Sequence, residues 1–191
     1  MRIRQLRIRV NTDKGLFGTD IPFDDGLVIL RAENSMGKST CLKAILVALG
    51  MEAMLTANRE DLPLPPVLKD HVHTDDGNAK VIESDIFLEI ENRRKERIVV
   101  HRTIKGTKNT GLIEVSHGPA LTKPDGKYRS DEFFVGRPGD MTRDFGFLRF
   151  LTEFLGLEVP TVRTFQNDDR PLYPQCIFPY FLWNSQEDGA V

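Results

Sequence analysis

Long apolar runs are missing from this chain. No stretch approaches the roughly 18–20 consecutive apolar residues that a membrane-crossing helix needs, and the mean hydropathy of the 191 residues is −0.31. The opening, MRIRQLRIRV, alternates charge with aliphatics and lacks the apolar stretch that marks a secretory leader. Cysteine is scarce: Cys41 and Cys176 are the two, too few for a disulfide framework, so a reducing, cytoplasmic setting is expected. Neither charge is in excess, since 26 basic and 28 acidic side chains leave a net −2. That balance excludes a protein that grips nucleic acid with its whole surface and leaves room for a local basic patch only. Internal repeats, heptad runs and low-complexity segments are also missing. What is present is an ordinary globular composition, 40% hydrophobic and 28% charged, long enough for one domain or a lobe of one and for a core that needs no staples.

Hydrophobic periodicity divides the chain. In residues 1–10, Leu6, Ile8 and Val10 share one parity and Arg7 and Arg9 the other, which predicts a strand with one wet face. Ile3 falls out of that phase, so a bulge is expected near Gln5. Gly15 to Phe23 reads as a second strand and Asp24-Asp25-Gly26 as a turn. The run Leu27-Val28-Ile29-Leu30 has no polar face, the pattern of a strand covered on both sides at the centre of a sheet. Residues 38–55 place Leu42, Ile45, Leu46 and Leu49 at helical spacing. An irregular connection is expected over 56–78, where Pro63, Pro65 and Pro66 break the pattern. A β meander follows over 79–117, with strands at Val81–Ile90, Arg97–Ile104 and Gly111–Ser116 and a turn at Asn92–Glu96. Residues 118–140 read as a surface loop. Asp144–Leu155 reads as a helix stopped by Gly156, and Leu172 to Trp183 as a buried aromatic strand.

The chemistry concentrates at Ala32-Glu33-Asn34-Ser35-Met36-Gly37-Lys38-Ser39-Thr40. This segment fits the phosphate-binding pattern G-x-x-x-x-G-K-S/T except at its first position, where Ala32 stands for glycine. Gly37 lets the backbone approach phosphate oxygens. The loop N–H groups, from Asn34, Ser35 and Met36 onward, make an anion nest to which the following helix adds its positive end. Lys38 is expected between β- and γ-phosphates, the Ser39 hydroxyl on Mg²⁺, and Thr40 near the α-phosphate. Such a loop requires a buried strand before it and a helix after it, and Leu27–Leu30 and Lys38–Leu49 are the candidates.

At these residues the sequence resembles the N-terminal lobe of ABC-type ATPase heads, in the SMC, RecN and RecF-like branch. Asn34, Gly37, Lys38, Ser39 and Thr40 match that branch's loop, while Ala32 and Ser35 depart from its glycines. The opening order of strand, second strand, aliphatic strand and loop is similar too. The resemblance implies an α/β fold: a P-loop NTPase core with a mixed sheet plus an antiparallel meander, in which 1–55, 79–117 and 141–191 form one lobe. It implies ATP and Mg²⁺ as ligands. It also implies a Q-loop whose glutamine reaches the metal and attacking water; Gln186 fits this role best, with Gln175 and Gln166 as competitors. No segment resembles the signature motif or the Walker B acids, so these and a coiled coil are expected in a C-terminal lobe outside this chain. Expected partners are that lobe, a second head as in a homodimer, and double-stranded DNA, with no membrane. The implied activity is ATP hydrolysis by the complete protein, in DNA maintenance, repair or defence, with this chain alone inactive. The alternatives are a nucleotide-gated dimerisation module without productive hydrolysis and the ATPase part of an overcoming-lysogenisation-type nuclease.

Two further groups carry charge or metal-ligating side chains. Arg93, Arg94, Lys95, Arg97, Arg102, Lys105 and Lys108 lie on the proposed hairpin and its exit, either as a DNA-phosphate surface or, interleaved with Glu89, Glu91 and Glu96, as a solvated tip. His71 and His73, with Asp70, Asp75 and Asp76, read as a polar loop for want of a third separated ligand. Cys41 and Trp183 read as core residues.

Overall fold

The computed structural model describes residues 1–33, 37–52, 55, 64–135 and 141–172. Its centre is an antiparallel sheet in the order β2-β1-β4-β5-β6-β7. These strands are β1 (Arg2–Thr12), β2 (Gly15–Pro22), β4 (Gly77–Glu91), β5 (Arg97–Lys105), β6 (Leu112–Ser116) and β7 (Ser130–Phe134). The short β3 (His71–Thr74) pairs with the start of β4. The helices are α1 (Lys38–Ala48), the single turn α2 (Pro66–Lys69) and α3 (Phe147–Leu155), and a small hairpin of β8 (Thr161–Arg163) and β9 (Asp169–Pro171) follows. The chain is thus α/β with a mostly antiparallel sheet; among the described residues the one parallel contact is an isolated bridge between Phe134 and Gly146.

The alternation seen in the sequence sets the core. Leu6, Ile8 and Val10 of β1, Ile86, Leu88 and Ile90 of β4, and Ile98 and Val100 of β5 point to one face and are buried. Ala44, Ile45, Val47 and Ala48 of α1 and Phe147, Leu151 and Leu155 of α3 join the same cluster. The expected bulge is present: β1 pairs Ile3 with Ile90 and Gln5 with Glu89, leaving Arg4 as the extra residue. This returns Ile3 to the core side, where it packs partly buried.

Both main helices end in the same way. After α1, Gly50 takes φ 68°, its N–H donates to the Val47 carbonyl at 3.1 Å, and Met51 N–H donates to the Leu46 carbonyl at 2.9 Å. This paired arrangement closes a helix on a left-handed residue, so α1 stops at Ala48 rather than continuing to residue 55. A Cβ on Gly50 would lie 2.9 Å from Val135 Cγ2, so this turn is packed against the chain beyond β7. Gly156 closes α3 equivalently at φ 63°.

Several expectations are corrected. Leu27–Leu30 forms no strand; Leu27 is 87% and Ile29 75% exposed. A doubly covered strand needs neighbours on each edge, and the described strands pair with one another in the main sheet and in the β8–β9 hairpin, leaving none beside Leu27–Leu30. The connection 56–78 holds α2, β3 and the start of β4, and the loop 118–140 holds β7. The helix expected from Asp144 begins at Phe147. The aromatic strand expected over 172–183, including Cys176 and Trp183, lies outside the described residues beyond Leu172.

The hairpin tip is not merely solvated. Residues 121–122 fold over the outer face of β4, and Glu89 is fully buried beneath them. Its carboxylate accepts from the N–H of Thr122 (2.9 Å), Thr122 Oγ1 (2.8 Å), the N–H of Leu121 (3.2 Å) and Arg97 Nη1 (3.2 Å).

Candidate functional site

The phosphate-loop segment leads into α1, and Gly37 forms the boundary. It sits at the helix N-cap with φ 84° and ψ 11°, a left-handed conformation that glycine adopts without strain. Among the described residues no side chain caps this helix start, and no acidic residue lies in its first turn. The first ladder bond is from Cys41 N–H to the Gly37 carbonyl at 3.0 Å. The N–H groups of Lys38, Ser39 and Thr40 precede that bond, at the positive end of the helix dipole.

Lys38 turns back over the loop. Its ammonium donates to the carbonyls of Ala32 (2.6 Å) and Glu33 (2.7 Å), which ties the chain at 32 and 33 to the helix start. Ser39 is exposed, and Lys38 and Thr40 are half-buried. Beside them opens a mainly apolar cavity of about 520 Å³, with Gly37, Lys38 and Thr40 on one wall, Ile8 and Phe17 on another, and Ile29 and Leu30 on a third. β1 and β2 join this cavity without any motif in the sequence to mark them; the parity of Ile8 and Val10 places them on one face, and the fold turns that face to the cavity. Cys41 also lines the cavity; burial pushes its thiol up, with a smaller opposing effect from its own backbone N–H, which suits a packing residue better than a nucleophile.

The remaining candidates divide. Asn34, Ser35 and Met36 lie outside the described residues, as do Gln186 and Gln175. Gln166 is exposed in the turn between β8 and β9. The structure therefore brings Gly37, Lys38, Ser39 and Thr40 together at one helix end.

Six of the seven basic residues have partners within the chain, and Arg93 is exposed at the tip. Arg97 binds Glu89 and Glu91, Arg102 binds Glu52, and Lys95 binds Glu91. Arg94 pairs with Glu96, Lys108 with Glu114 at 3.7 Å, and Lys105 Nζ donates to the Lys69 carbonyl. Glu91 is held down to about 2, first by its hydrogen bond from Arg4 and then, against the opposing effect of burial, by those from Arg97 and Lys95.

Among the described residues no helix is long and apolar enough to cross a membrane. Neither the models of known protein families nor the curated proteins compared with the chain match it.

Proposed function

We propose that the chain binds ATP with Mg²⁺ at the N-terminus of α1, as the N-terminal lobe of an SMC-like ABC ATPase head with a P-loop NTPase core. The observation that carries this reading is the Lys38 ammonium on the Ala32 and Glu33 carbonyls. A cation held beside the first N–H groups of a helix is the donor set that a polyphosphate requires. The residues fit the ligand. Lys38 exchanges two carbonyl acceptors for phosphate oxygens, Ser39 offers its hydroxyl to the metal, and Thr40 stands one residue further on. The bound Mg²⁺ would neutralise phosphate charge. Gln186 keeps its role as the metal-sensing residue within this proposal.

The lobe assignment draws on the exposed aliphatic run. Leu27, Val28, Ile29 and Leu30 face water beside a cavity whose walls are mainly apolar. Phosphates suit its rim, at Gly37, Lys38 and Thr40. Its interior and the aliphatic run suit side chains of further strands, which a C-terminal lobe would bring with the signature and Walker B residues. A second head would complete the site, and hydrolysis in DNA maintenance, repair or defence would belong to that assembly.

Calorimetric titration of MgATP into the chain and into Lys38→Ala tests the binding. The wild-type chain binds and releases phosphate no faster than background, and the variant binds at least about tenfold more weakly, the worth of one charge-assisted contact. Equal binding by both proteins would defeat the reading, as would single-chain hydrolysis abolished by the same substitution.

A further inference from the structure

Positions two apart on a strand share a face, and on β3 two such positions are His71 and His73. Their imidazoles meet edge to face, with ring centroids 4.7 Å apart and planes at 81°, and the two Nε2 atoms are 3.3 Å apart. Two nitrogens bound at about 2.0–2.1 Å to one tetrahedral ion stand about 3.3–3.4 Å from each other. The separation between these two Nε2 atoms is therefore already that of a shared metal ligand pair.

One of the rings is also oriented. Asn78 faces His73 directly in the β3–β4 register, and its Oδ1 lies 2.7 Å from His73 Nδ1. An amide oxygen can only accept, so His73 carries its hydrogen on Nδ1 and presents the Nε2 lone pair towards His71. The hairpin that holds this register is tied down by Thr74 Oγ1 on the Gly77 carbonyl (2.5 Å) and by Lys14 Nζ on the Asp76 carbonyl (2.9 Å). Without an ion, His71 Nε2–H donates to His73 Nε2. With one, His71 carries its hydrogen on Nδ1 and both Nε2 atoms are left as acceptors for the ion.

We infer that His71 and His73 form a surface clip for a divalent transition-metal ion of the imidazole-preferring kind, Zn²⁺, Ni²⁺ or Cu²⁺. Among the described residues no group of three or more His, Cys, Asp and Glu side chains gathers to hold a metal. The protein donors are thus two imidazole nitrogens, which serve hard, oxygen-seeking Mg²⁺ and Ca²⁺ poorly, and the remaining positions around the ion go to water. The expectation of a plain polar loop at these residues gives way to a strand that sets two histidines side by side. The site is independent of the proposed nucleotide site and shares no residue with it.

The chain has 4 histidines, and the other two serve as controls. His101 lies between Asp85 (2.8 Å) and Glu114 (3.3 Å), and His117 pairs with Asp131 (2.9 Å). Ni²⁺ titrated calorimetrically into the untagged chain, and Cu²⁺ followed by electron paramagnetic resonance, read out the stoichiometry and the number of nitrogen ligands. The expected result is one ion per chain with two imidazole nitrogens. His71→Ala and His73→Ala should each weaken binding at least about tenfold, and Asn78→Ala about tenfold through the lost orientation. His117→Ala should leave binding unchanged. Failure of the wild-type chain to bind, binding that survives both substitutions on β3, or loss of binding in His117→Ala would overturn the inference. Melting temperatures separate a lost ligand from a lost fold, and His71→Gln and His73→Gln carry the same test should either alanine variant melt lower.

Discussion

Arg102 of β5 and Glu52, just beyond the end of α1, form a two-pronged ion pair across the helix–sheet interface, with Nη1–Oε2 at 3.0 Å and Nη2–Oε1 at 2.8 Å. Nη1 also donates to the Val47 carbonyl at 2.7 Å, so one guanidinium gathers a carboxylate and the negative end of the helix that carries the candidate site at its other end. Both side chains are largely buried, at 3% and 10% exposure.

Replacing only the cation strands the anion. Arg102→Met should cost about 3–5 kcal/mol in urea unfolding because Glu52 is left as an unpaired buried charge. The double variant Arg102→Met with Glu52→Met should recover most of that loss, since an apolar pair of similar volume has no desolvation to offset. A single variant as stable as the wild type would show that the pair does not anchor α1 to the sheet.

Glu91 predicts an acid limit. Its folded-state value of about 2 lies below the ordinary 4.5, so between these values the unfolded chain binds the extra proton and the native chain does not. Stability from this group is full above about pH 4.5 and is lost as the pH falls towards 2. Urea midpoints measured across that window should fall for the wild type and fall less steeply for Glu91→Gln. Parallel slopes would remove Glu91 as the source, leaving the other depressed carboxylates, such as Asp85 beside His101 and Thr103, where burial opposes the hydrogen bonds that lower it.

Local patterns were legible because their causes are local. The parity slip at Ile3 announced the bulge at Arg4, since period-two burial cannot be kept across an out-of-phase residue without an extra one. Gly156 announced the end of α3 because a left-handed closing residue favours glycine. Gly37 and Lys38 were legible as a unit through their spacing. Less could be read where the cause is a distant segment. Glu89 looks like a hairpin-tip charge until residues 121–122, thirty-odd positions away in the chain, fold over it, and Glu91 does so until Arg4, far back on β1, reaches it. β7, Ser-Asp-Glu-Phe-Phe, has no alternation of its own and is a strand because β6 offers an edge. The four residues of β3 are a strand because β4 overruns the meander by several positions. Leu27–Leu30 is the sharpest case: an aliphatic run reports a liking for burial, but not whether neighbouring strands are present to supply it.

That case yields a direct test. Ile29 is 75% exposed while Leu6 is fully buried. In the chain by itself, Ile29→Lys should change stability by no more than about 0.5 kcal/mol, as for an ordinary surface position. Leu6→Lys, which forces a charge into the core, should prevent stable folding. A large loss from Ile29→Lys would mean that the aliphatic run is already covered, and the seat proposed for further strands would disappear. If it is uncovered, the same substitution has a second effect that the isolated chain cannot show. In the presence of a C-terminal lobe, a lysine in the middle of the run would enter the new interface unpaired, and co-purification of the two lobes should be lost although the variant lobe itself remains folded. Retained co-purification would place the lobe contact elsewhere on the molecule and leave the apolar run without its proposed partner.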